Sequence, residues 1–495
     1  MQRKVFWPLV LAFAAVKLGV HLYVSDSYGW FRDELYFLAC GRHLDWGYVD
    51  HPPLVALMAR LGELFGDSLR AFRLPVSIAG ALRVMMAGVL AARLGGGRKA
   101  QALACVTVLL TPMYLGMDSI LSMNPFEHLF WLACLLVVIE IANGASEKWW
   151  LLFGVSAGLA LQTKHSIVFL AFGLGVAMVL TPLRRSLAKP WIWLGAGIAL
   201  LIFLPNLIWQ VQHGFPTLEL LRNVKETGKN VVMAPLPFIV QQVMMLNPFL
   251  APVWIAGLIW LFFQRTYRAL AITYVVVLIT FIALEAKNYY VAPIYPMLFA
   301  AGAVWWGQRR WTAVTAFTMV IAGGLISAPL VLPILRPERY LAYQKELGVK
   351  QHRSEVSHTS DMPQLFADQF GWEEMVREVA RIYHALPVEQ RAKTAIFGSN
   401  YGQAAAIDFY GPKYGLPPAI SGHQNYYLWG PRQYTGESMI VIAASIVRTR
   451  PLYESIEVAG QRFHPTAIPD ENGPIFLTRT KRPLREIWSN YKYWR

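Results

Sequence analysis

The sequence predicts an α-helical polytopic membrane protein followed by a smaller soluble α/β domain. Three observations predict it. Of the 495 residues, 55% are hydrophobic and only 15% are charged, whereas a soluble domain carries roughly 25% charged residues. Apolar runs recur along residues 1–336, about eleven of them approaching the roughly 20 residues that cross about 30 Å of hydrocarbon. From Pro337 the chain turns polar, and its apolar residues fall in short strand-like runs.

The expected spans start near Val5, Leu74, Gln101, Phe126, Trp149, Ser166, Trp191, Pro237, Ala269, Tyr290 and Thr312. The first follows Met1-Gln2-Arg3-Lys4 like a signal peptide. Its apolar run is too long for a signal core and has no clear small-residue cleavage site, so an uncleaved helix is expected. The breaks at Thr163-Lys164-His165 and Glu285-Ala286-Lys287-Asn288 are short and predict helical hairpins. Arginine and lysine cluster at one set of loops: Arg3 and Lys4; Arg93, Arg98 and Lys99; Lys148; Arg184, Arg185 and Lys189; Arg265 and Arg268; Arg309 and Arg310. The positive-inside rule makes that side cytoplasmic. The N-terminus is then cytoplasmic, and the loop at 25–73, the loop at 210–236 and the domain at 337–495 are exported.

Within the first exported loop, Leu54 to Phe65 reads as an amphipathic helix on the membrane surface. In the polar domain, Trp372 to His384 reads as a helix. Thr394 to Phe397, Met439 to Ala443 and Ile475 to Thr478 read as strands.

The net charge of +15 does not point to nucleic acid, because the cations lie in short clusters between apolar runs, where they set topology and meet lipid headgroups. The three cysteines, Cys40, Cys105 and Cys134, form no CxxC or Cys/His metal spacing.

The chemistry concentrates in the first exported loop, in Trp30-Phe31-Arg32-Asp33-Glu34-Leu35-Tyr36 and Tyr48-Val49-Asp50-His51-Pro52-Pro53-Leu54. Acidic residues at a bilayer edge are costly unless they face a wet cavity or a charged partner. An exported site has no access to ATP or nucleotide sugars, so glycosyl transfer there draws on sugars linked to lipid phosphate. That reaction needs a carboxylate to deprotonate the acceptor and cationic or metal help for the leaving phosphate. Asp33 is the candidate base; the competing reading is a helix cap. Lys164 and Lys287 are cations on the exported side, against the topological trend. They read either as a clamp on a donor phosphate or as headgroup anchors. Glu127, in the first turn of a span, suits the helix dipole. Arg83 lies inside a span and needs a partner; Glu140 or a backbone carbonyl is the expected one. In the tail, His423, Asn425, Tyr426, Tyr427 and Trp429 form a polar–aromatic cluster that reads first as packing and second as a sugar-stacking surface.

These motifs, with Met117-Asp118-Ser119, Gln162-Thr163-Lys164-His165, Leu204-Pro205-Asn206-Leu207-Ile208-Trp209-Gln210 and Lys287-Asn288-Tyr289-Tyr290-Val291-Ala292-Pro293, resemble the GT-C superfamily of glycosyltransferases. The closer resemblance is to the bacterial branch of glycosyltransferase family 39, the group of dolichyl-phosphate-mannose protein mannosyltransferases and lipid A aminoarabinose transferases. It covers the membrane portion and implies residence in the inner (plasma) membrane. The resemblance implies an inverting transfer from a polyprenyl-phosphate-linked sugar to a lipid, glycan or protein acceptor. It places the base on Asp33, an acid that orients the acceptor or holds the active-site loop on Asp118, and a donor-phosphate contact on His51, where histidine in place of lysine weakens that role at pH 7. Glu34 beside Asp33 completes the expected catalytic set, and Lys164 and Lys287 the phosphate-binding one. A divalent metal on Asp50 and His51, with His213 as third ligand, is an open alternative; no other cofactor is implied. A secondary transporter or flippase is the competing function, weakened by the long acidic loop, the exported domain and the lack of visible inverted repeats.

Overall fold

The computed structural model describes residues 3–66, 68–349 and 360–495. The chain divides into two compact units. The first comprises Met1–Ser27, Phe65–Trp209 and Val232–Leu335 and is helical. Every expected span start lies at or close to the start of a helix. Among the described residues, five helices are long and apolar enough to cross a membrane: Trp7–Val24, Leu74–Arg93, Asn124–Ala142, Pro190–Gln212 and Arg310–Val331. The number rises to seven if each of two bent pairs is one span; Ile167–Leu180 with Pro182–Ala188 bends by 107°, and Pro235–Leu246 with Ala251–Phe263 by 116°. Proline accounts for much of the fragmentation. Pro112, Pro182, Pro235 and Pro252 all lie in the first turn of a helical piece, where the missing N–H costs nothing but the preceding helix must stop.

The Pro190–Gln212 helix shows what surrounds this unit. Only 11% of its most apolar stretch is buried, and Leu200, Leu201 and Trp193 lie open. An apolar helix left this exposed requires hydrocarbon rather than water around it. Inside the unit, helices Ala251–Phe263 and Tyr295–Trp306 approach backbone to backbone. A Cβ on either Gly257 or Gly302 would overlap the opposing main chain, the close approach that small residues permit in membrane bundles.

The second unit gathers three separate stretches, Tyr28–Leu64, Gln210–Val231 and Arg336–Arg495. The first stretch supplies helices Arg32–Arg42 and Leu54–Leu64, the second a helix at Pro216–Glu226, and the third a helix at Trp372–Ala385 and a four-stranded sheet. The strands are β1 (Thr394–Gly398), β2 (Ser438–Ile442), β3 (Tyr453–Arg462) and β4 (Gly473–Thr480), in the order β1-β2-β4-β3. β1 and β2 run parallel, with Ile396 opposite Ile440; β4 is antiparallel to both β2 and β3. β1 and β2 are buried throughout, which explains their unbroken apolar reading. The sequence reading finds β1, β2 and β4 but misses β3. That strand lies at the sheet edge, largely exposed, and carries Glu454 and Glu457. Charge on an edge strand blocks pairing with another chain, and the same charge hides the strand from a hydropathy pattern.

Candidate active site

Asp33 and Glu34 take different positions in the first turn of the Arg32–Arg42 helix. Glu34 is fully buried and accepts the Phe31 N–H at 2.9 Å, capping the helix start from the third helical position. Its carboxylate belongs to the fold. Asp33 remains one-third exposed. Its Oδ1 accepts the Tyr401 hydroxyl at 2.7 Å, and Arg32 Nε lies 3.6 Å from the same oxygen. Its Oδ2 forms no hydrogen bond among the described residues. One oxygen is thus fixed, and the side chain keeps partial access to solvent. Arg32 also reaches Asp368 at 3.3 Å, and its backbone N–H donates to the Asp368 carbonyl at 3.0 Å. Burial pushes the Asp368 carboxyl up to about 7; Arg32 opposes the rise, and Asp33 and Glu471 add to it.

Asp50 and His51 lie deeper. Asp50 accepts the Tyr36 hydroxyl at 2.8 Å. Burial raises its carboxyl above the ordinary range, against the opposing pull of His51 and Tyr36. His51 Nδ1 is 2.9 Å from the Pro52 carbonyl. A carbonyl only accepts, so Nδ1 carries the proton and Nε2 does not. The ring stacks on Tyr48 with centroids 4.6 Å apart, and burial lowers its pKa. A neutral, enclosed imidazole supplies no positive charge to a phosphate, so the expected phosphate contact at His51 does not hold. Nε2 is buried without a hydrogen-bond partner. Among the described residues no three His, Cys, Asp or Glu side chains are grouped to hold a metal, so Asp50, His51 and His213 do not form a three-ligand set.

Asn425, Tyr426 and Trp429 of the tail cluster pack against first-loop residues of the same unit. The Asn425 side chain accepts the Val49 N–H at 3.0 Å, Trp429 stacks on His43 at 4.5 Å, and the ring of Tyr426 lies 6.5 Å from that of Tyr36.

In the helical unit, Lys164 donates to Asn124 Oδ1 at 3.1 Å and Glu127 Oε2 at 3.2 Å, beneath the Tyr290 ring at 4.2 Å. Ser166 donates to the other Glu127 oxygen. Glu127 therefore does more than face a helix dipole: it fixes the lysine. Lys287, half-buried, precedes the turn Asn288–Ile294. Asp118 is fully buried between Lys17 Nζ, at 2.8 Å, and the Arg83 guanidinium, and Arg83 also meets His128 at 2.9 Å. Arg83 therefore pairs with Asp118 and His128 rather than with Glu140, which Arg93 takes at 2.8 Å. Asp118, expected in the catalytic set, is instead the centre of a buried charge cluster with no open face.

Asp368 and Lys17 do not stand out in the sequence. Tyr401 stands in Gly398-Ser399-Asn400-Tyr401-Gly402, which follows a strand-like run and lacks the lysine and spacing of a phosphate loop; its partner Asp33 lies 368 positions away. Lys17 could have been found by the same logic as Arg83, as a cation within an apolar run.

The comparisons with known proteins agree with this architecture. Residues 50–209 match the family model for dolichyl-phosphate-mannose-protein mannosyltransferase. The lipid A galacturonosyltransferase RgtD of Rhizobium johnstonii is 26% identical over 435 residues, spanning 80% of this chain and 85% of the relative. The crystal structure of ArnT from Cupriavidus metallidurans in the apo state superposes with a TM-score of 0.62 at 16% identity, covering 96% of this chain and 98% of the other. The same protein bound to undecaprenyl phosphate gives 0.60 at 16% identity, covering 94% and 97%. The chain shares the fold of ArnT over nearly its whole length. Its sequence similarity, to the mannosyltransferase family model over residues 50–209 and to RgtD over 435 residues, is to glycosyltransferases.

Proposed function

We propose that this protein transfers a sugar from a polyprenyl-phosphate-linked donor to an acceptor hydroxyl on the exported face of the inner membrane, with inversion and with Asp33 as general base. The observation that carries the assignment is the state of the Asp33 carboxylate. It is held at Oδ1 by Tyr401 at 2.7 Å and leaves Oδ2 free to take a proton, whereas Glu34 and Asp118 are buried and engaged. A base needs a positioned oxygen within hydrogen-bond reach of the acceptor. Support for the donor class comes from ArnT, solved with undecaprenyl phosphate, and support for a lipid acceptor from RgtD, a lipid A galacturonosyltransferase. Lys287 and Lys164 are proposed as the cations that meet the donor phosphate; a lysine suits that task as a point charge. A divalent metal would take Asp50 and the unprotonated Nε2 of His51 and draw its other ligands from the substrate, adding charge beside the leaving phosphate.

The test is sugar transfer from a synthetic prenyl-phosphate donor by purified variants in detergent. Asp33→Asn keeps the shape and removes the base, so transfer should fall by about 10²–10⁴-fold with folding intact. Glu34→Gln should chiefly lower thermal stability. An active Asp33→Asn enzyme would remove the base from this loop.

A further inference from the structure

We infer that the sheet-containing unit holds a second binding site, a cavity of about 620 Å³ that takes an anionic saccharide. The cavity opens at the carboxyl ends of the parallel pair β1 and β2. Ser399 and Asn400, which follow β1, line it together with Ala443, Ala444 and Ser445, which follow β2. Ligands of parallel sheets bind in such crevices. From β1 the chain turns directly into helix Tyr401–Tyr410, capped by the Asn400 side chain, which accepts the Gln403 N–H at 3.0 Å. The first turn of that helix forms part of the wall, and a helix start favours negative charge.

The side chains lining the cavity carry an excess of positive charge. Arg448 and Arg495 line it with Arg32, which is paired with Asp33 and Asp368, and Lys229, whose Nζ donates to the Arg495 carbonyl at 3.4 Å, against Asp470 and Glu471. Glu471 is already engaged, accepting from Asn400 at 2.8 Å and from Gln403 at 2.7 Å. Arg448 and Arg495 lie over the Tyr493 ring, 5.0 and 4.8 Å from its centroid, and neither pairs with a carboxylate among the described residues. Two exposed guanidiniums held over an aromatic ring suit a phosphate or carboxylate. The walls also present rings. His423 and Tyr401 stack at 4.7 Å and 23°, with Tyr493 beside His423 at 5.0 Å. Aromatic faces with adjacent hydrogen-bonding groups suit a sugar ring, whereas guanidiniums alone would suit any anion. Tyr401 joins this cavity to the active-site candidate, since its hydroxyl holds Asp33. On the transferase reading above, the cavity therefore holds the charged sugar of the acceptor; the binding itself does not depend on that reading.

The test is titration calorimetry of the full chain in detergent with glucose 1-phosphate, glucuronic acid, glucose and inorganic phosphate. Glucose 1-phosphate or glucuronic acid should bind saturably, with glucose and inorganic phosphate each clearly weaker. The double variant Arg448→Gln/Arg495→Gln, both exposed positions, should bind the anionic sugar about tenfold or more weakly with an unchanged circular dichroism spectrum. No saturable binding, binding undiminished in the double variant, or inorganic phosphate binding as tightly as the sugar phosphate would each overturn the site. Transfer by Asp33→Asn reads the other proposal separately. Saccharide binding with transfer retained in that variant would keep the cavity and discard the base.

Discussion

Tyr401 donates its phenolic hydrogen bond to Asp33 across 2.7 Å, so a residue of the C-terminal sheet region sets the orientation of a carboxylate in the first loop. Tyr36 stacks beside Tyr401 at 4.6 Å and itself holds Asp50. Two carboxylates of the loop are thus each fixed by one tyrosine. Tyr401→Phe keeps the ring and removes one hydrogen bond to a charged group, worth about 1.5–3 kcal/mol. Transfer should fall by about tenfold or somewhat more, well short of the Asp33→Asn loss, with donor KM unchanged. An unaltered kcat in the folded variant would mean that Tyr401 does not orient the base.

The lysine pair separates into two experiments. Lys164 is locked to Glu127, whose side chain is 2% exposed. Breaking a buried pair at one end costs about 3–5 kcal/mol, so Lys164→Ala should lose thermal stability as well as activity. Lys164→Met with Glu127→Gln removes both charges and should fold while raising donor KM. Lys287→Ala should raise donor KM with little loss of stability. Normal donor KM in both folded variants would make these residues anchors rather than a clamp.

Asp368 predicts a pH effect of definite sign. Its folded carboxyl titrates near about 7 because burial disfavours the charge, above the unfolded value of about 3.9. Between those values the folded state binds more protons than the unfolded one, so this group's contribution falls as pH rises from about 4 to 7. Asp368→Asn cannot titrate. Its melting temperature relative to the parent should therefore climb between pH 5 and pH 8; a pH-independent difference would refute the assignment.

Topology is tested by reporter fusions. A reporter after Arg495 should read as exported and one at Gly97 as cytoplasmic. A cytoplasmic reading at Arg495 would move the proposed site to the face where nucleotide sugars are available, and the lipid-linked donor would lose its rationale.

Much of the helical skeleton is legible because apolar run length is a local property. The span starts, the Leu54–Leu64 helix and the fully buried strands β1 and β2 all follow from residues close together in the chain. The candidate site is legible only as a location. The sequence shows that Asp33, Glu34, Asp50 and His51 are unusual, but not that Glu34 is used in a cap or that His51 is enclosed and neutral. Those outcomes are set by contacts and burial, and several of the decisive ones are remote. Lys17 meets Asp118, Arg83 meets Asp118 and Asp33 meets Tyr401; a buried charge advertises its need for a partner but not which partner will come.

The 368-residue separation between Tyr401 and Asp33 also fixes an order of events. The first loop leaves the ribosome hundreds of residues before its tyrosine clamp is made. Until then the Asp33 carboxylate has no Tyr401 to hold it, and a chain that stops before the sheet region never acquires that contact. The clamped form of Asp33 is thus restricted to molecules that have been translated through β1 and into the helix after it.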